Sequence, residues 1–142
     1  MSVKAVIDTN VLVSSFLSKN PNSPTVRIAN ALLDGRFTPV YSRGMIDEYV
    51  DVLGRDYLNL QAEQVEELVG HLKASGEEVV PAESNENFPD PDDKVFFCTA
   101  LADDAHLVTG NMKHYPPANF CRSSTHGVCL DVTGACWWNC QC

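Results

Sequence analysis

The chain has 142 residues, 44% of them hydrophobic and 20% charged, which is one domain's worth of ordinary globular composition. Its 19 acidic residues against 10 basic ones give a net charge of −9, which argues against a protein that grips nucleic acid through general phosphate neutralisation; a nucleic-acid ligand here needs a local bridge such as a divalent cation. The apolar run of "MSVKAVIDTN" is too short and too soon charged for a secretory signal, and no stretch approaches the roughly 18 consecutive apolar residues of a membrane span, so a soluble cytoplasmic protein without membrane contact is expected.

"VKAVIDT" (residues 3–9) reads as a short strand, apolar nearly throughout, as parallel strands covered on both faces are. "NSPTVRIANALLDG" predicts a helix with Ser23 at its N-cap and Pro24 at the first helical position. Its stripe is Val26, Ala29, Leu32 and Leu33, before Gly35. "RFTPVYS" is a second strand candidate. "SRGMIDEYVDVLGR" reads as a helix opened by Ser42 and stopped near Gly54, burying Met45, Ile46, Tyr49, Val50 and Leu53. "LQAEQVEELVGHLKAS" is a further amphipathic helix and "EEVVPA" a third short strand.

"ESNENFPDPDD" (residues 83–93) is too rich in Asn, Asp and Pro for regular structure. It leads into a helix over "PDDKVFFCTALADDA", with Asp90 as N-cap and Pro91 at the first helical position. "HLVTGN" is a fourth strand ending in a turn. There is no internal repeat. Strands alternating with helices argue for an α/β fold on a mostly parallel sheet.

Cys98 stands in an apolar helical stretch and reads as a small core residue. Cys121, Cys129, Cys136, Cys140 and Cys142 crowd the end of the chain, without the C-x-x-C knuckles of a zinc ribbon. Reduced thiols are the simplest reading, with a metal or disulfide role as the alternative.

The acids carry the chemistry. Asp8 follows the first strand, Asp90, Asp92 and Asp93 cluster at a helix start, and Asn111 follows the fourth strand. In open parallel sheets, sites form beyond the carboxyl ends of the strands. A carboxylate at position 8, in an apolar run, is costly unless compensated. Two compensations are open: it caps the next turn through backbone N–H groups, or it joins other oxygen ligands around a hard cation, Mg2+ or Mn2+. Glu48 and Asp47 lie about 130° to either side of their helix's apolar stripe, so periodicity does not choose between them.

"VIDTNVLVSSF", "SRGMIDEYVDVL", "DPDDKVFFCTALADDAHLVTGN" and "MKHYP" stand in the order and at the spacings of a PIN domain, and the chain resembles the VapC-like toxins of toxin–antitoxin systems from about Val3 to Pro116. The resemblance implies a three-layer α/β/α fold with a mostly parallel central sheet and a Mg2+- or Mn2+-dependent endoribonuclease. By position, Asp8, Glu48 and Asp93 match the acids that hold the metal, which selects Glu48 over Asp47. Asn10, Asp90 and Asn111 match auxiliary polar positions, Asn111 standing where many PIN domains carry a fourth acid. The same resemblance implies an RNA substrate, a cognate antitoxin and a homodimer. Residues 1–118 would form the nuclease domain. Residues 119–142 would add a last strand over "GVCLDVT" and a tail, "GACWWNCQC", with no counterpart in the family pattern.

Two alternatives remain at this stage. One is a non-catalytic PIN scaffold that binds RNA or a protein. The other is a phosphatase with an aspartyl nucleophile, which needs a second Asp two residues after the first; that position is Asn10.

Overall fold

The computed structural model describes residues 3–110 except 86 and 89, together with the backbone of residues 129–131. Among the described residues the chain runs through β1 (Lys4–Ile7), α1 (Thr9–Leu17), α2 (Pro24–Leu33), β2 (Thr38–Tyr41), α3 (Arg43–Leu53), α4 (Ala62–Ser75), β3 (Glu77–Glu78), α5 (Lys94–Ala102), β4 (His106–Thr109) and β5 (Cys129–Asp131). The strands form one sheet in the order β3-β2-β1-β4-β5, and every pair is parallel. The fold is the expected three-layer α/β/α sandwich.

Sheet burial follows from the pleat. Three consecutive residues of β1, Ala5, Val6 and Ile7, are all buried, and successive side chains point to opposite faces, so both faces are covered. β2 and β4 repeat the pattern, with only their first residues partly open. β3 is different. It is an edge strand of two exposed glutamates, shorter than "EEVVPA" suggests, and charge on a free edge discourages pairing with other chains. Lys4 Nζ bridges Glu77 Oε2 at 3.0 Å and Asp103 Oδ2 at 3.4 Å.

Four local expectations are corrected. The first strand stops at Ile7; Asp8 and Thr9 already begin α1, a helix the sequence reading omitted. Residues 91–93 form a 3-10 turn rather than the first turn of α5. In α2 the buried residues are Ile28 and Leu32, while Leu33 faces solvent. In α3 it is Val52, not Val50, that joins Met45, Ile46, Tyr49 and Leu53 in the interior. In both helices the packed face is decided by which neighbours arrive, and the apolar stripe is wider than the contact. The strand expected within "GVCLDVT" is present as β5, and Cys98 is a core residue. Asn111, the tail tryptophans and the side chains of the five C-terminal cysteines lie outside the described residues.

Candidate active site

β1 is first in the chain but central in the sheet. From it the chain moves outward through β2 and β3, then returns to its other side at β4. The carboxyl ends of β1 and β4 therefore flank the switch point, where open α/β sheets place their clefts. Asp8 and Gly110 occupy those two ends.

Asp8 is only 3% exposed. Its compensation is local and specific. As N-cap of α1 its Oδ1 accepts from the Asn10 N–H at 3.4 Å, and its Oδ2 accepts from the Thr109 hydroxyl at 2.8 Å. The capping alternative is therefore realised, together with a cross-strand donor that the sequence reading did not anticipate. Asn10 works across the same gap: its Oδ1 accepts from the Gly110 N–H at 3.2 Å. The two bonds stitch the start of α1 to the end of β4.

Glu48 is half-buried on α3, whereas Asp47 is exposed. Burial pushes the Glu48 carboxyl above its ordinary range, and the negative charges of Asp92, Asp51 and Asp90 push the same way against Arg55. Glu48 thus lies within the field of the acidic turn that precedes α5. The turn is held by its own caps: Asp90 Oδ1 accepts from the Asp92 N–H at 3.0 Å, and Asp90 O from the Asp93 N–H at 3.1 Å. Asp93, the last residue of the turn, is 8% exposed.

α3 and α5 are tied at a second point. Ser42, the N-cap of α3, makes no side-chain cap; its hydroxyl pairs with that of Thr99 at 2.8 Å, and both residues are fully buried. Thr99 also donates to the Val95 carbonyl at 2.6 Å. Gly44 permits the close approach, since a Cβ there would meet Val95 Cγ2 at 3.0 Å. Thr109 and Thr99 are not singled out by the sequence, and Ser42 is marked only as a helix start, because each acts through a partner far along the chain.

The structure therefore brings Glu48 electrostatically against Asp90 and Asp92, and sets Asp8 at the neighbouring strand end. Among the described residues, no three His, Cys, Asp or Glu side chains form a group that could hold a metal ion. Replacing Glu48 has a definite sign. A carboxyl raised in the folded state costs stability as pH climbs past its unfolded value. Glu48→Gln should therefore raise the melting temperature at pH 7 by roughly 1–3 °C, the scale of a charge effect discounted for solvent, and the gain should vanish toward pH 4. Thermal scans at the two pH values check this.

Among the described residues no helix is long and apolar enough to cross a membrane. The sequence profile of the PIN domain matches residues 4–113. No curated protein matches the chain. Among solved structures, the crystal structure of VapBC2 from Rickettsia felis, bound to a DNA fragment from its promoter, contains a chain of the same fold. The TM-score is 0.53 at 18% identity, over 91% of this chain and 98% of that one. With an acid at the end of the central strand, a second on α3 and a third opening α5, all inside the matched span, the chain belongs to the PIN domain family, whose members are generally nucleases.

Proposed function

We propose that the protein is a Mg2+- or Mn2+-dependent endoribonuclease that hydrolyses RNA phosphodiester bonds, acting as the toxin of a toxin–antitoxin pair. The observation that carries this reading is Asp8: a nearly inaccessible carboxylate at the end of the central strand, within the PIN match. Asp8, Glu48 and Asp93 would hold the metal, with Asn10, Asp90 and Asn111 as auxiliaries.

The residues suit such an ion in kind. All the proposed donors are oxygens, the chemistry of a hard cation, and burial together with the neighbouring negative charges lifts the Glu48 carboxyl, a disfavoured charge that a cation relieves. When bound, the ion supplies Lewis acidity, acidifying a water and offsetting phosphate charge. The chain's own part is orientation. The Thr109 hydroxyl and the Asn10 N–H fix the Asp8 carboxylate, and second-sphere donors of this kind tune their ligands. With a net charge of −9, the protein has little general attraction for RNA, so affinity would rest on this local bridge.

The likeness to VapBC2 supports a separate antitoxin as partner, and a homodimer and a cytoplasmic location belong to the same reading. A second reading, a PIN scaffold without catalysis, is favoured by one fact: the described acids do not form a group of three around one point. One experiment separates the two. The protein is incubated with structured RNA, with and without millimolar Mg2+ or Mn2+. Cleavage that requires the metal, with a rise in melting temperature on adding it, is the expected result. No cleavage and no thermal shift would leave the scaffold.

A further inference from the structure

Tyr49 follows Glu48 on α3 and is only 1% exposed. Its hydroxyl donates to the carbonyl of Ile7, the last residue of β1 and the one before Asp8. Its ring lies against Phe96 of α5, with centroids 6.0 Å apart and planes tilted by 40°. Phe96 is one turn beyond Asp93. A single side chain, rooted beside one proposed ligand, thus touches the strand that delivers the second and the helix that follows the third.

A tyrosine that only filled space would do so as well with a phenylalanine ring. Here the phenol oxygen ends on the main chain adjoining Asp8, and a buried hydroxyl of this type is retained for its partner. The ring has two χ angles, both restrained, one end by Phe96 and the other by the Ile7 carbonyl. That bond ties α3 to the end of β1. We infer that Tyr49 is a positioning residue for the site, holding Glu48, Asp8 and Asp93 in register through its bond to the Ile7 carbonyl and its contact with Phe96. This rests on the nuclease reading above.

The test is Tyr49→Phe, which keeps the ring and removes only the hydroxyl. Two quantities are measured beside the unaltered protein: steady-state RNA cleavage, and Mn2+ affinity by electron paramagnetic resonance without RNA. The expected result is a fall of about tenfold in both kcat and Mn2+ affinity with KM for RNA unchanged, the scale on which groups that orient metal ligands act. Val65→Ala, in α4 and also buried, controls for lost stability and should leave both quantities as they were. If Tyr49→Phe lowers only the melting temperature, with kcat and Mn2+ affinity within twofold, Tyr49 is a core residue and the inference is overturned. If the unaltered protein binds Mn2+ and cleaves RNA while Asp8→Asn does neither, the nuclease reading stands whatever Tyr49→Phe does. If the unaltered protein neither binds nor cleaves, both fall together.

Discussion

Asp8→Asn should lower metal-dependent RNA cleavage by at least about a hundredfold, because loss of a ligand exceeds the 10- to 100-fold cost typical of losing a group that merely orients one. The substitution is close to isosteric. The amide oxygen can take the Oδ1 position and accept from the Asn10 N–H, asparagine being as good an N-cap as aspartate. The amide NH2, in the Oδ2 position, donates to the Thr109 hydroxyl oxygen, whose own proton now goes to Oδ2 at 2.8 Å. The fold should therefore persist, with an unchanged far-ultraviolet spectrum and a melting temperature no lower than that of the unaltered protein. What disappears is the negative charge, and with it the thermal shift on adding Mn2+. Cleavage within threefold of the unaltered rate would remove Asp8 from the chemistry.

Phe96→Ala should act by the opposite route. Phe96 is 1% exposed in α5 and packs on Tyr49, and truncating a buried phenylalanine costs about 3–5 kcal/mol. Against a typical total of about 5–15 kcal/mol, that is a large share. Urea unfolding should show a lower midpoint with an unchanged slope. Cleavage measured at low temperature should fall far less than in Asp8→Asn, and should track the folded fraction. A variant as stable as the unaltered protein would mean that the α3–α5 contact is not the keystone its burial implies.

The parts of this molecule that could be read from sequence are those whose causes are local. Ser42 and Gly54 bracket α3, Pro24 opens α2, and "RFTPVYS" and "HLVTGN" contain β2 and β4, because caps, fixed φ angles and runs of apolar residues act within a few positions. α1 escaped for a physical reason. "TNVLVSSFL" is apolar on most sides and rich in β-branched residues, so its pattern resembles a continuation of the strand before it; the start signal was Asp8 itself. The two burial errors, Leu33 and Val50, have a common origin. An apolar stripe says which side of a helix can be buried, and only the arriving neighbours decide which part of it is. The candidate site divides in the same way. Asp8 and Glu48 are selected by position along the chain; the structure adds that Glu48 is half-buried where Asp47 is exposed. The groups around them join residues 101, 57 and 42 positions apart, and no local pattern announces such partners.

The position of β1 has a consequence for synthesis. It leaves the ribosome before the other described strands, yet one of its two neighbours is β4, and the hydroxyl that steadies Asp8 belongs to Thr109, 101 residues later. Closing so long a loop is slow and yields nothing until the strands meet. A nascent chain that has reached only residue 100 has made Asp8, Glu48 and Asp93 but lacks the Thr109 hydroxyl for the first of them. Growth of the polypeptide thus acts as a timer, and the surroundings of Asp8 are completed only once β4 has been made.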